Sequence, residues 1–161
     1  MIRAIYATDI QGGIGRNGSI PWPKQSADLK WFKESTDGDA VIMGRKTWMD
    51  PKMPKPLKNR YNVVVSDRGI PSSEIQPNIT IGRSEIEKYA KSINTTDVWI
   101  IGGATLIESC WDFIEEAWVG SIEGIHNCDV LLETPKHFQL FEIYDNFDTG
   151  LSYEKSRNTR L

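Results

Sequence analysis

The chain has only two cysteines and two histidines among its 161 residues. Cys110 and Cys128 are too few for a disulfide framework and suit a reducing compartment, so a cytoplasmic location is expected. His126 and His137 lie far from any cysteine pair or carboxylate cluster at ligand spacing, so no metal site is expected. No apolar run is long enough to span a bilayer, and no membrane partner is expected. Excess positive charge is also missing. The net charge of −3 is the opposite of a nucleic-acid footprint, so no nucleic-acid partner is expected. Met1–Tyr6 lacks the layout of a signal peptide and reads as a strand from residue 2. Without a secretory signal, the N-x-S/T triplets at Asn17, Asn78 and Asn94 are expected to be chance.

What is present is ordinary globular composition, with 25% charged and 39% hydrophobic residues. The length suits one domain, 1–161. Short β-rich segments recur at Ile2–Ala7, Ala40–Met43, Tyr61–Val65, Ile79–Ile81, Val98–Ile101 and Ala117–Ile122. Val63-Val64-Val65 and Val98-Trp99-Ile100-Ile101 are continuous rather than alternating, as in parallel strands buried on both faces. Helical segments lie between them. Ser26 is expected to cap a helix through Asp28, Trp31 and Phe32. Ser84-Glu85-Ile86-Glu87 has the form of a capping box for a helix ending near Ser92, and Gly103–Trp111 is the third helical candidate. Strand and helix alternate, which is the α/β pattern. After His137, two strands around Asp148-Thr149-Gly150 predict a C-terminal hairpin. With no heptads and no spare apolar stripe, a monomer is expected.

Four features point to chemistry. At i, i+3 and i+4, Asp28, Trp31 and Phe32 share one helix face, so a carboxylate stands beside two aromatics. Desolvation there raises its pKa toward the range of a proton relay. Gly13-x-Gly15-x-x-Gly18 has the letters of a dinucleotide fingerprint but is followed by Pro21-Trp22-Pro23 rather than a helix. It reads instead as a glycine loop, either a lid or an ordinary surface loop. Two strands, Val41–Met43 and Val98–Ile101, run through glycine (Gly44; Gly102-Gly103) into helix starts, and Arg45, Lys46 and Thr47 add donors to the first. Two such junctions suggest one extended phosphate-bearing ligand bridging them. Pro51–Arg60 is a stiff basic loop whose Arg60 can grip a carboxylate bidentately, or simply be solvated.

Taken in order, Gly-Ile-Gly, Pro-Trp, Asp-Leu-x-x-Phe, Met-Gly-Arg-x-Thr-Trp, Pro-Leu-x-x-Arg, a strand ending in Ser66, and Ile-Gly-Gly resemble the dihydrofolate reductase family over most of the chain. The resemblance implies a three-layer α/β fold. Its mostly parallel central sheet has about eight strands with an antiparallel C-terminal strand, flanked by about four helices. It also implies NADPH-dependent reduction of 7,8-dihydrofolate to tetrahydrofolate, with dihydrofolate and antifolate-type molecules as partners. Asp28 matches the family's active-site carboxylate, with Trp22 beside it in the catalytic centre. Ile5, Tyr6, Ala7, Leu29, Phe32, Leu57 and Ile101 match residues lining the substrate pocket. Arg60 matches the clamp on the substrate's glutamate carboxylate. On the NADPH side the matched positions are Ala7, Ile14, Gly15, Ser19, Gly44, Arg45, Lys46 and Thr47. They continue with Ser66, Arg68, Ile101, Gly102, Gly103, Ala104 and Thr105. The Gly102-Gly103 peptide is expected to be cis, and Asp129 to hold one state of the loop from Asp9 to Pro23.

The chain departs from the family pattern at several of these positions. Gly120 stands where a threonine hydroxyl usually supports the carboxylate. Ile107 replaces a tyrosine near the reacting rings, and Thr105 replaces a basic residue near the pyrophosphate. Asp67 puts negative charge beside the expected 2′-phosphate. Two other readings share the fold. One is the pyrimidine reductase of riboflavin synthesis, against which Trp22, Asp28 and Phe32 argue. The other is a non-catalytic folate- or nucleotide-binding protein, against which Asp28, Arg60 and Gly102-Gly103 argue.

Overall fold

Parallel strands that read as continuous apolar runs need cover on both faces. The computed structural model, described for residues 1–16 and 20–161, supplies it. In chain order the elements are β1 (Ile2–Thr8), β2 (Gly13–Gly15), α1 (Ser26–Thr36), β3 (Ala40–Gly44), α2 (Arg45–Met49), β4 (Tyr61–Val65) and β5 (Ile79–Ile81). A 3₁₀ turn at Arg83–Glu85 leads into α3 (Ile86–Ser92), then β6 (Val98–Gly102), α4 (Ala104–Cys110), β7 (Glu116–Ser121), β8 (Val130–Leu131), β9 (Phe138–Asn146) and β10 (Leu151–Asn158).

Eight strands form one sheet in the order β5-β4-β3-β6-β1-β7-β10-β9. The first six in that order are parallel, and β10 runs antiparallel to both β7 and β9. This is the expected sheet with its C-terminal hairpin. A second, two-stranded sheet of β2 and β8 went unread in the sequence, because two- and three-residue strands leave no periodicity to detect.

Strand alternation divides the core into two layers. Ala4 and Tyr6 point into one, with Ile42, Val63 and Ile100, and α3 and α4 cover it through Ile86, Ala90 and Ile107. Ile5, Val41, Val64 and Trp99 point into the other, closed by Trp48 of α2 and by Trp31 and Phe32 of α1. An eleven-residue helix is marginal alone, so these two half-buried aromatics hold α1 in place, each contributing less than the roughly 1.5–3 kcal/mol of full burial. The buried indoles keep their polar atoms satisfied: Trp48 Nε1 donates to the Ile75 carbonyl at 3.0 Å and Trp99 Nε1 to Asp39 Oδ2 at 2.9 Å.

Two helix starts differ from expectation. Ser26 is the first helical residue rather than the cap; Gln25 occupies the cap position and makes no side-chain cap bond. The box expected at Ser84–Glu87 forms two residues earlier. There Glu85 Oε1 accepts the Gly82 N–H at 3.3 Å, so the chain enters a 3₁₀ turn before α3. Among the described residues no helix is long and apolar enough to cross a membrane.

Candidate active site

Parallel strands bring the carboxyl ends of β1, β3, β6 and β7 to one edge of the sheet, and the candidate residues gather there. Asp28 sits in the first turn of α1 and is half-buried. Gly120 of β7, paired with Ala7 of β1 and Tyr153 of β10, lies against it. A β-carbon built on Gly120 would collide with Asp28 Oδ1 and lie 3.5 Å from both Asp28 Cγ and the Trp31 ring. The absence of a side chain at 120 is therefore what admits the carboxylate. Trp31 closes the other side, stacked on Tyr153 at 4.7 Å and on Trp118 at 6.2 Å.

Among the described residues no group hydrogen-bonds the Asp28 carboxylate, and burial pushes its pKa up to about 6. Among the described residues no donor stands in for the hydroxyl that the resemblance led one to expect at position 120. Burial shifts the balance toward the neutral carboxyl, which below about pH 6 can donate a hydrogen bond or a proton.

Next to Asp28, Phe32 is half-buried and carries the Arg60 guanidinium 5.9 Å above its ring. Arg60 Nε donates to the Lys58 carbonyl at 2.9 Å and Nη1 to Thr36 Oγ1 at 3.2 Å. Burial lowers its pKa, opposed by nearby Asp37, and no described carboxylate lies within ion-pair distance. A guanidinium has five N–H donors, so donors remain free for an external anion. Leu57 is buried in the α1-side layer, and Ile101 is half-buried against it. Ile5 and Ala7 share that face.

Tyr6 does not. Its side chain lies in the opposite layer, edge-on to Trp111, and its hydroxyl meets Thr134 Oγ1 at 2.9 Å. Strand alternation turned it away, so only its backbone borders the Asp28 face. Leu29 is 46% exposed at the rim. Trp22 rests edge-on against His126, 5.7 Å between ring centres, with no described hydrogen bond to Asp28. Ile107 is fully buried in the α3–α4 layer, where an aliphatic side chain packs without a polar atom to satisfy.

The two strand–glycine–helix junctions stand side by side. Met43 of β3 is in register with Gly102 of β6. The Gly102-Gly103 peptide is cis, and β-carbons built there would lie 3.8 and 4.0 Å from Thr47 Oγ1. A β-carbon at Gly44 would lie 3.7 Å from the Gly102 carbonyl oxygen. Arg45 Nε is buried and has no hydrogen-bond partner among the described residues. An orphaned cationic donor beside close-set glycine backbone fits a phosphate-bearing ligand. Lys46 and Thr105 are exposed, Thr47 is half-buried and Ala104 is buried. At the far end, Ser66 Oγ donates to the Gly69 carbonyl at 3.1 Å and Arg68 is exposed. The Asp67 carboxylate accepts the Arg83 N–H at 2.9 Å, so part of its charge is taken up at the 3₁₀ turn.

The glycine loop is anchored by a residue that sequence reasoning passed over. Asp9 is 3% exposed. Its Oδ1 accepts the Gln11 and Gly13 N–H groups at 2.9 and 3.0 Å. Its Oδ2 accepts the His126 N–H at 3.0 Å and the Cys128 thiol at 3.5 Å. The Asp129 N–H donates to the Gly15 carbonyl at 2.9 Å, beside the β2–β8 pairing. Ile14 and Gly15 are half-buried, whereas Ser19 and Gly18 lie outside the described residues. Asn62, 1% exposed, is the second missed residue, and its amide ties Leu57 to Arg60. A polar residue inside an apolar strand was the available signal in Tyr61-Asn62-Val63-Val64.

A family model described as dihydrofolate reductase matches residues 1–153. The chain belongs to the dihydrofolate reductase family. It is 36% identical over 124 residues to a Cryptococcus neoformans dihydrofolate reductase, covering 67% of this chain and 54% of that protein. It is 32% identical over 142 residues to a Bacillus subtilis dihydrofolate reductase, covering 88% of this chain and 77% of that one. The chain thus spans about half of the first relative's length and about three quarters of the second's. An Enterococcus faecalis dihydrofolate reductase, solved in complex with NADP(H) and RAB-propyl, superposes with a TM-score of 0.82 at 23% identity. That match covers 99% of this chain and 96% of the other, and carries the three-layer fold.

Proposed function

We propose that this protein reduces 7,8-dihydrofolate to 5,6,7,8-tetrahydrofolate with NADPH. The observation that carries the reading is Asp28: a desolvated carboxyl with a pKa near 6 at the carboxyl edge of the sheet, within a chain of this family. NADPH, when bound, supplies the hydride that goes to C6 of the pterin.

The chain's own residues do the rest. Asp28 hydrogen-bonds the pterin ring and favours protonation at N5. Trp31 and Phe32 keep water from the carboxyl. Ile5, Ala7 and Ile101 border the ring, Leu57 and Leu29 flank the benzoyl group, and Trp22 closes the loop side. Arg60, with donors to spare, holds the glutamate carboxylate. Arg45, with Lys46 and Thr47, would hold the cofactor's phosphates against Gly44, Gly102, Gly103, Ala104 and Thr105. Ser66 and Arg68 would meet the 2′-phosphate, and Ala7, Ile14, Gly15 and Ser19 the nicotinamide end. Antifolate-type inhibitors would occupy the Asp28 pocket. A monomeric state, a cytoplasmic location and the absence of nucleic-acid or membrane partners belong to the same proposal, supported by composition and charge.

The test is the fall in reduced-nicotinamide absorbance on mixing protein, NADPH and dihydrofolate. Dihydrofolate-dependent oxidation, lost in Asp28→Asn, is the expected result. Oxidation that does not depend on dihydrofolate would refute the reading.

A further inference from the structure

Asn62 is the second residue of β4, paired across the sheet with Val41, and its side chain is enclosed. Its Nδ2 donates to the Leu57 carbonyl at 3.0 Å and to the Arg60 carbonyl at 2.9 Å. Its Oδ1 accepts the Leu57 N–H at 2.9 Å. One amide therefore closes the segment from Leu57 to Arg60 into a ring. Its own backbone is pinned from the neighbouring segment, since the Asn62 N–H donates to Asn78 Oδ1 at 2.7 Å and the Asn78 N–H to the Asn62 carbonyl at 3.0 Å. Only a side-chain amide offers two donors on one atom and an acceptor beside them at this reach. Aspartate keeps the shape and loses both donors; serine is too short to span the two carbonyls.

The two residues so joined are not equivalent. Leu57 is buried in the layer that contains Ile5, with Phe32 packed against it. Arg60 carries a guanidinium above Phe32 with no described carboxylate partner. The turn between them passes through Asn59 at a φ of 58°, a left-handed conformation that asparagine tolerates. The amide thus sets the distance between an apolar wall and a cation, which is the spacing a ligand needs if it carries an aromatic linker ending in a carboxylate.

We propose that Asn62 is a positioning residue for tail recognition: it holds Leu57 and Arg60 at the separation that reads the benzoyl-glutamate portion of the substrate. This rests on the reading of Arg60 as the carboxylate clamp. The experiment compares two substrates in wild type, Asn62→Asp and Asn62→Ser. One is dihydrofolate. The other is 6-methyl-7,8-dihydropterin, which keeps the reacting ring and lacks the tail.

In both variants KM for dihydrofolate should rise about tenfold, while kcat/KM for the tail-less pterin changes less than about twofold. The retained pterin activity shows that the fold and the Asp28 pocket are intact. Equal losses on both substrates, including loss through misfolding, would overturn the proposal, as would unchanged dihydrofolate kinetics. If wild type already fails to distinguish the two substrates, the clamp reading of Arg60 fails, and this proposal with it. Absence of turnover with either substrate would strike the reductase reading itself.

Discussion

The Asp28 carboxylate occupies the space that a side chain on Gly120 would fill. At this position a glycine is required by contact rather than by backbone geometry, because Gly120 does not adopt a positive φ. Placing a threonine at position 120 should therefore damage the site. Gly120→Thr and Gly120→Ala are expected to cost about 1–3 kcal/mol of stability by overpacking. Displacing Asp28 should lower kcat/KM for dihydrofolate by roughly tenfold to a hundredfold. Denaturant unfolding and steady-state kinetics on both variants check this; higher activity in Gly120→Thr would contradict it.

Stability should follow the Asp28 titration. Its pKa rises from 3.8 to about 6 on folding because burial disfavours the charge. A raised carboxyl pKa contributes stability that is complete below the unfolded value and lost as pH rises through the folded one. Between about pH 4 and pH 6 this site should lose about 2–3 kcal/mol. Asp28→Asn has no such titration, so it should be more stable than wild type at neutral pH while being catalytically impaired. Urea unfolding of both proteins across that range tests the sign.

Asp9 titrates in the opposite sense. Burial alone would raise its pKa, but the His126, Gly13 and Gln11 N–H groups and the Cys128 thiol outweigh burial and lower it. Its contribution is present above the ordinary carboxylate value and is lost as pH falls through the depressed one. Asp9→Asn replaces an acceptor by an amide that cannot receive all of these bonds and should destabilise by about 2–4 kcal/mol. Thermal and urea unfolding at neutral pH give the magnitude. A loss within experimental error would remove Asp9 as the loop's anchor.

Cofactor choice should respond to Asp67. Asp67→Asn keeps the acceptor for the Arg83 N–H and removes the charge near the expected 2′-phosphate. At this exposed position the relief is about 1 kcal/mol, so KM for NADPH should fall about fivefold with little change for NADH. Parallel kinetics with the two cofactors decide the matter. Equal changes for both would place the 2′-phosphate elsewhere.

The sheet and its order of elements were legible because buried parallel strands leave continuous apolar runs such as Val63–Val65, and the junction glycines stand directly after them. Asp28 was legible because helical spacing put it beside Trp31 and Phe32. The direction of Tyr6 was legible in principle, since it alternates with Ile5 and Ala7, but motif matching overrode the period of two. Gly120 was read as a missing hydroxyl. That it makes room for Asp28 depends on how α1 docks onto β7, a long-range relationship with no local signature. Asp9 and Asn62 were missed for a related reason: most of their partners are backbone groups, whose positions the sequence does not reveal. Ser26 and Ser84 show the limit of capping rules, since each sits within two residues of the helix start without serving as its cap.

The role of Asp28 as the site's proton-bearing group is tested most directly by the pH dependence of kcat/KM for dihydrofolate in wild type and Asp28→Asn. Wild type should hold a plateau up to about pH 6 and then fall about tenfold per pH unit, and the variant should be slow and lack that break. A wild-type profile without a break near the Asp28 pKa, or a variant that keeps the wild-type rate and profile, would contradict it.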